Sequence, residues 1–375
     1  MNQLKIPLSS PDITEAEIEA VAATLRSSQL SLGPRLAEFE ATFTDLIGIE
    51  NAIAVSSGTA GLHLAMLALD IGTGDEVIVP SFTFIAAANA IRYVGATVVF
   101  VDIDSNTLNL SPAAVERSIT PRTRAILAVH TFGVPADMSA LVSLARRHNL
   151  ALIEDACEAL GATIDSQPIG SFGDVAVFAF YPNKQISTGE GGMIVTRNSS
   201  LAAHMRSLRN QGRTPSDRWL QHTEIGYNYR LSEIACTLGI GQMRRLASIL
   251  DRREKIARFY HQQLCAEPSL TLPIDEIPGS HISWFVYVVR LADAFTQQNR
   301  DQVVHDLEQA GIGCGRYFAP IHLQAAYADL PVAAGLPITE SVAAHTIALP
   351  FFNRISDSEI VTVCEALKLA IRRIS

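Results

Sequence analysis

A regular alternation between short apolar runs and helix-like stretches in the first half of the chain most constrains its fold. The apolar runs are rich in β-branched residues and lie at 52–55, 77–79, 97–101, 125–129 and 151–154, with two more at 175–180 and 193–196. Strands that are apolar throughout are buried on both faces, as in a parallel sheet covered by helices. The pattern therefore predicts an α/β fold with a mostly parallel central sheet sandwiched by helices.

The stretches between these runs have the periodicity of amphipathic helices. Thr14 and Glu17 predict a capping box that opens a helix ending at Arg26. Its predicted apolar face consists of Ile18, Val21, Ala22 and Leu25. A second helix should follow Gly33-Pro34 and bury Leu36, Phe39, Phe43 and Ile47, and others should lie near 59–70, 84–94, 112–119 and 137–148.

The pattern changes after about residue 230. A long helical segment at 231–265 precedes a strand near 284–291 and helices at about 300–310 and 357–371. With fewer strands, this part predicts a smaller α+β domain. The polar stretch 211–225 is the expected boundary, which gives a large domain at 1–225, including the N-terminal helix, and a small C-terminal domain at 226–375.

Charge and hydropathy exclude several classes of function. The chain has 375 residues and a net charge of −9, which disfavours nucleic acid as a partner because the phosphate backbone would be repelled. The densest basic cluster is interpreted as the solvated face of a helix: Arg244, Arg245, Arg252, Arg253 and Lys255. No apolar run reaches the roughly 20 residues that span a bilayer, so no membrane partner is expected.

Cysteine usage indicates a reducing compartment. The five cysteines are scattered and form no CxxC pair, which argues against a disulfide framework and against a zinc site. We therefore expect a cytoplasmic protein without a bound metal.

Three chemical signals lie at the carboxyl ends of predicted strands, where parallel-sheet proteins bind ligands. The first is the small-residue turn at 56–61, before the helix near 59–70. Small residues let the backbone approach an anion, and the helix N-terminus offers free N–H groups to a phosphate. Such turns are also common as simple turns.

The second signal is Glu154-Asp155 and the third is Lys184. The local sequence favours Asp155 as a helix cap, with an anion that pairs with a protonated ring nitrogen as the alternative. Lys184 follows Pro182 on a rigid turn, where a lysine is usually solvated. In a pocket, however, a lysine can lose its proton and attack a carbonyl.

Together the three signals are the parts that hold pyridoxal 5'-phosphate (PLP) as a Schiff base. Their order and spacing resemble the fold-type-I PLP enzymes. More narrowly, the chain resembles the DegT/DnrJ/EryC1/StrS family of sugar aminotransferases almost from end to end. The matching segments are Gly33-Pro34, 56–64, 79–91, 130–138, 154–163, 170–194, 226–231 and 316–325.

The resemblance implies a role for individual cofactor-binding residues. Lys184 would form the Schiff base and move the proton between substrate and cofactor, which cycles through pyridoxamine phosphate (PMP). Asp155 would keep the ring nitrogen protonated, and Phe84 would stack on the ring. Gly58, Thr59 and Ala60 would form the turn that binds the cofactor's phosphate, and Glu158 would lie near the cofactor's 3-hydroxyl. Asn228 would reach the phosphate from the neighbouring subunit of a homodimer.

Two positions bear on affinity and reaction type. Many relatives have a phosphate-binding serine where this chain has Ala179, so one donor is missing unless Ser57 or a water replaces it. Relatives that dehydrate the sugar have histidine at the position of Lys184, so lysine favours transamination, with L-glutamate as the implied donor.

The implied acceptor is a keto-sugar attached to a nucleoside diphosphate. Glu158 resembles the branch that acts on GDP-linked 4-keto-6-deoxy sugars, and UDP- or dTDP-linked sugars stay open. Ser31, Tyr317 and His322 lie where relatives contact the nucleotide-sugar, although a lone His322 is more often structural.

Several alternatives to this function stay open. One is an aminotransferase acting on a free cyclitol ketone, and another is a different PLP reaction on the same scaffold. An alternative of another class is a non-catalytic, PLP-binding regulatory protein.

Overall fold

The computed structural model of the chain describes residues 5–214, 218, 221–330 and 335–374. The predicted boundary stretch 211–225 therefore lies partly outside the described residues. The helices are α1 (Glu15–Leu25), α2 (Pro34–Ile47), α3 (Gly58–Ala68), α4 (Ala86–Tyr93), α5 (Pro112–Ser118), α6 (Met138–His148), α7 (Ser199–Arg209), α8 (Glu233–Arg244), α9 (Leu246–Leu264), α10 (Gln297–Gln309), α11 (Pro337–His345) and α12 (Asp357–Ile374).

The strands confirm every apolar run that the sequence predicts. They are β1 (Asn51–Val55), β2 (Glu76–Pro80), β3 (Thr97–Val101), β4 (Thr123–Val129), β5 (Ala151–Asp155), β6 (Thr163–Ile164), β7 (Gln167–Pro168), β8 (Val175–Ala179), β9 (Gly192–Thr196), β10 (Leu270–Thr271), β11 (Ser280–His281), β12 (Tyr287–Leu291) and β13 (Thr346–Leu349). The two-residue strands, β13, α7 and α11 were not predicted.

Seven strands form the central sheet in the order β1-β9-β8-β5-β4-β2-β3. Only β9 runs against its neighbours, so the sheet is mostly parallel, as predicted. Alternate strand residues point to opposite faces. In β1, Ala52 and Ala54 join one apolar core, whereas Ile53 and Val55 join another on the opposite face.

Helix α2 buries the face that its periodicity predicts: Leu36, Phe39, Phe43 and Ile47. The predicted apolar face of α1 is wrong, because Ile18 and Leu25 are 50% and 54% exposed. Instead α1 packs through Glu17, whose Oε1 accepts hydrogen bonds from Gln242 Nε2 at 2.8 Å and Arg245 Nε at 3.1 Å. A buried carboxylate satisfied by α8 therefore replaces an apolar contact.

The predicted helix at 231–265 is two helices, α8 and α9, which meet at Arg245. Apolar residues of α8 and of the start of α9 pack in the same core as α2. From Ile256 onward, α9 belongs to a separate core, which also contains residues of β12, α10 and α12 as well as Ile6. The division of the chain at residue 225 stays a prediction.

The solvated-face interpretation of the basic cluster is wrong for Arg253. Arg244 and Lys255 are exposed, but Arg253 is only 4% exposed. In the described part of the chain, no helix is both long and apolar enough to cross a bilayer.

Candidate active site

A cavity of about 550 Å³ opens at the carboxyl ends of β4, β5 and β8. Its size is within the range of sites for small molecules. Residues from the far end of the chain, among them Phe285 and Phe318, close its other side. The predicted site residues that line it are Gly58, Thr59, Phe84, Asp155, Glu158, Lys184 and Tyr317.

The turn before α3 has the form of an anion cradle. Ser57 is the N-cap, and its Oγ accepts the Ala60 N–H at 3.0 Å, so that N–H is already engaged. The N–H groups of Gly58 and Thr59 open the helix, where no preceding turn supplies an acceptor. A Cβ on Gly58 would lie 2.8 Å from Ala179 Cβ and 2.9 Å from Cys157 Sγ, so only glycine fits this close approach.

Glu154 is a structural carboxylate behind the cavity. It is fully buried, and it accepts the N–H groups of Gly170, Phe172 and Gly173 at 2.7–2.9 Å. His130 Nε2 completes its shell at 3.3 Å. Glu154 therefore holds the turn before β8 and is not available to a ligand.

Asp155, the next residue of β5, lines the cavity and is 7% exposed. Successive strand residues point to opposite faces, which separates its role from that of Glu154. The helix-cap interpretation is wrong, because residues 156–161 form turns rather than a helix. Within the described residues its Oδ1 accepts a single, local hydrogen bond, from the Cys157 N–H at 3.2 Å, so the carboxylate can pair with a cationic group in the cavity.

Lys184 reaches the same cavity from the turn after β8. Its Nζ lies 3.4 Å from Glu158 Oε1 and 3.9 Å from the centre of the Phe285 ring. Glu158 is buried rather than exposed, and its Oε2 accepts the Phe132 N–H at 2.9 Å. Burial raises the pKa of the Glu158 carboxyl, against the opposing influence of the Lys184 ammonium and the Phe132 N–H.

We expect Glu158 to make stability depend on pH. Because its pKa is raised by folding, the folded state binds this proton more tightly, and the resulting stabilisation is lost as the pH rises through the raised pKa. Glu158→Gln keeps an acceptor for Phe132 and removes the titration. Denaturant unfolding of the cofactor-free protein at pH 4, below the ordinary pKa of 4.5, and at pH 8 should therefore show wild type losing stability relative to this variant at the higher pH. An unchanged difference would contradict the raised pKa.

The structure places the other predicted residues as follows. Phe84 is 60% exposed, and its ring lines the cavity, open to a ligand. Ser31 and Asn228 are exposed and are not among the lining residues, and Asn228 forms a backbone bridge with Asn210. Their roles stay predictions.

His322 does not line the cavity either. Its Nδ1 lies 2.7 Å from Ser81 Oγ, and its Nε2 lies 3.3 Å from Glu340 Oε1. Since both ring nitrogens have partners in the chain, the placement favours the structural alternative over substrate contact.

Sequence reasoning missed several lining residues: Cys157, Tyr181, Asn183, Glu190, Phe285 and Phe318. Tyr181 and Asn183 belong to the turn of Lys184 and could have been included with it. Phe318 follows the predicted Tyr317 and could have been included with it, whereas Phe285 carries no local signal, because only the tertiary fold brings it to the lysine.

These residues fit PLP. At the N-terminus of α3, Gly58 leaves room for the PLP phosphate to come close to the backbone N–H groups. The Asp155 carboxylate suits the protonated ring nitrogen of PLP. The exposed Phe84 ring offers a stacking face, and the Lys184 amine offers a nucleophile for its aldehyde. One cavity thus has a partner for each part of the molecule.

Ala179 allows a test of the phosphate contact. It lines the cavity beside Gly58, and Ser57 Oγ accepts a hydrogen bond but keeps its own O–H to donate. We expect Ala179→Ser to tighten the dissociation constant of PLP by about 2- to 10-fold, the effect of one added hydrogen bond. Ser57→Ala should weaken it. Titration of cofactor-free protein with PLP measures both, and an Ala179→Ser constant equal to that of wild type would refute the missing donor.

Comparisons with known proteins agree with this site. The sequence profile of the DegT/DnrJ/EryC1/StrS aminotransferase family matches residues 11–368. GDP-perosamine synthase of Caulobacter vibrioides is 42% identical over 365 residues, which are 97% of this chain and 97% of that protein. The aminotransferase TlmJ from Streptoalloteichus hindustanus is 34% identical, with a TM-score of 0.93 over 99% of this chain and 100% of that one. The PLP form of Spr1654 from Streptococcus pneumoniae is 28% identical, with a TM-score of 0.93 over 99% of each chain.

Proposed function

Because the chain belongs to the DegT/DnrJ/EryC1/StrS family and is thus a PLP-dependent aminotransferase, we propose that it moves an amino group from L-glutamate to a nucleotide-linked 4-keto-6-deoxy sugar. The product would be a nucleotide-linked amino sugar. The observation that carries the proposal is that Lys184 and Asp155 face one cavity at the N-terminus of α3.

The chain's own residues divide the chemistry. When bound, PLP supplies an aldehyde that takes up the amino group and a ring that withdraws electrons from the reacting carbon. Lys184 holds and moves the proton at Nζ, and Asp155 holds a proton on the ring nitrogen. Glu158 and the Phe285 ring, at 3.4 and 3.9 Å from Nζ, keep the amine in place between proton transfers.

The charge of the cavity supports a homodimer with a shared site. Among the described residues that line it, Lys184 is the single basic side chain, against the carboxylates of Asp155, Glu158 and Glu190. L-Glutamate and a sugar diphosphate are anionic and need further cationic or N–H donors. We infer that a second copy of the chain supplies them, with Asn228 reaching the phosphate of the neighbouring site.

The GDP-linked sugar is the acceptor that we propose. The relative that is 42% identical is a GDP-perosamine synthase, and Glu158 fits the same branch. UDP- and dTDP-linked sugars and a free cyclitol ketone are the competing acceptors. The scattered, unpaired cysteines support a cytoplasmic location.

Two measurements test the proposal. The absorbance band of bound PLP should move to shorter wavelength when L-glutamate is added, because the cofactor becomes aminated. A panel of GDP-, UDP- and dTDP-linked 4-keto-6-deoxy sugars and a cyclitol ketone should then show the highest kcat/KM with the GDP sugar. A higher kcat/KM with another compound of the panel would make that compound the acceptor in place of the GDP sugar. A protein that binds PLP but turns over no donor would support the regulatory alternative.

A further inference from the structure

Arg253 is a buried cation on α9. It is 4% exposed, and among the described residues no carboxylate forms an ion pair with its guanidinium, although the Asp12 carboxylate acts to raise its pKa. Burial lowers the pKa of Arg253 to about 10, so it stays charged at neutral pH. A buried charge without a counterion is costly unless hydrogen bonds satisfy its donors. The groups that accept hydrogen bonds from the guanidinium therefore indicate the role of Arg253.

The guanidinium joins three separate segments of the chain. Its Nε donates to Trp284 O at 2.7 Å, and one terminal nitrogen donates to Phe285 O at 2.9 Å. The other terminal nitrogen donates to Asn353 Oδ1 at 2.8 Å. A longer contact of 3.5 Å reaches Asn183 O.

Two of these segments form the surroundings of Lys184. Asn183 precedes the lysine in its turn, and the Phe285 ring lies under Nζ. On the other side of the lysine, Gln185 Nε2 donates to Ser283 O at 3.1 Å and to Glu158 O at 2.6 Å. The lysine turn is thus attached to segment 283–285 on both sides, through Gln185 and through Arg253.

We propose that Arg253 is a positioning residue for Lys184. It holds the Lys184 turn and the Phe285 backbone in one arrangement, and it thereby sets where Nζ lies relative to the Phe285 ring and the Glu158 carboxylate. Arg253 is not among the residues that line the cavity, so it acts through the lysine turn. The inference rests on the proposed function only in taking Lys184 as the reactive amine.

Lysine cannot replace this guanidinium. Arginine presents five N–H donors in a rigid planar fork, whereas an ammonium is a point charge with three donors. Arg253→Lys keeps the charge and loses the simultaneous contacts with Trp284, Phe285 and Asn353. The chain offers a control in Arg300, which is equally buried, donates to Ala343 O and Thr346 O at 2.9 and 3.1 Å and pairs with Asp301 at 2.8 Å. In the described part of the chain, Arg300 makes no hydrogen bond to the lysine turn or to segment 283–285.

The experiment measures the reactivity of Lys184 in cofactor-free protein. An amine-directed acetylating reagent is added to wild type, Arg253→Lys and Arg300→Lys, and the modified Lys184 peptide is quantified over time. We expect Arg253→Lys to label about tenfold faster, because the Lys184 side chain, which is only 13% exposed, leaves its enclosed position, and Arg300→Lys to label within twofold of wild type. The same displacement of Nζ should lower kcat of the PLP-bound Arg253→Lys enzyme, while its KM for L-glutamate stays within about twofold of wild type.

Thermal unfolding of the variants separates positioning from general destabilisation. Equal labelling of wild type and Arg253→Lys, or an equal increase in both variants, would overturn the proposal. If Arg253→Lys does not fold, Asn353→Ala can be used instead, because it removes one acceptor of the guanidinium only. It should give a smaller increase in the labelling rate of Lys184, and no increase would likewise overturn the proposal. The labelling needs no cofactor. A wild type that failed to bind PLP would therefore refute the proposed function, but the labelling rates would still test the role of Arg253.

Discussion

Lys184→Ala is expected to lower aminotransferase activity by about 10³-fold or more and to abolish the absorbance band that bound PLP shows in wild type. The substitution removes both the nucleophile and the group that moves the proton, and general acid–base catalysis alone contributes 10²–10⁴-fold. Steady-state assays with L-glutamate and the keto-sugar measure the first effect, and a spectrum of the reconstituted protein measures the second.

Lys255→Ala is the control for Lys184→Ala, since that lysine is exposed on α9 and pairs with Asp251. It should keep wild-type kcat and the wild-type spectrum. Activity of Lys184→Ala within tenfold of wild type would show that another amine performs the reaction, and the site assignment would then be wrong.

Asp155→Asn is expected to lower kcat by about 10²–10³-fold. The carboxylate is nearly buried, and removing one partner of a buried charge pair costs about 3–5 kcal/mol. Asparagine has the same shape and still offers an oxygen to the Cys157 N–H, so the free energy of unfolding without cofactor should change little. Kinetics and denaturant unfolding of the same preparations measure the two quantities.

The neighbouring carboxylate gives the opposite expectation. Glu154→Gln weakens the acceptor of three backbone N–H groups and His130, so it should lower stability in the absence of cofactor. If Asp155→Asn loses stability as Glu154→Gln does, or keeps kcat within threefold of wild type, Asp155 is a structural residue and not the partner of the ring nitrogen.

The sheet and the cavity-facing turn could be predicted because their signals are local. Apart from the partly exposed edge strand β3, the central strands are runs of mostly apolar residues that are largely buried on both faces, and α2 buries the residues that its period indicates. The α3 turn and the Lys184 turn were singled out by small residues and proline in short segments, and their roles were predicted from the three signals together and from the family resemblance. The same reasoning failed for α1, where a buried Glu17 satisfied by α8 takes the place of an apolar contact.

The sequence by itself thus determined where the central strands lie along the chain, and together with the family resemblance it named the α3 turn, Lys184 and Asp155 as candidate site residues. Only the tertiary structure decided that Glu154 holds a turn while Asp155 faces the cavity, that Glu158 is buried against Lys184, and that Arg253 is enclosed rather than solvated. Apolar burial repeats with the period of a helix or strand and can be read locally. The partner of a polar group comes from a distant segment, as Phe285 and Asn353 do for Arg253, and leaves no periodic signal.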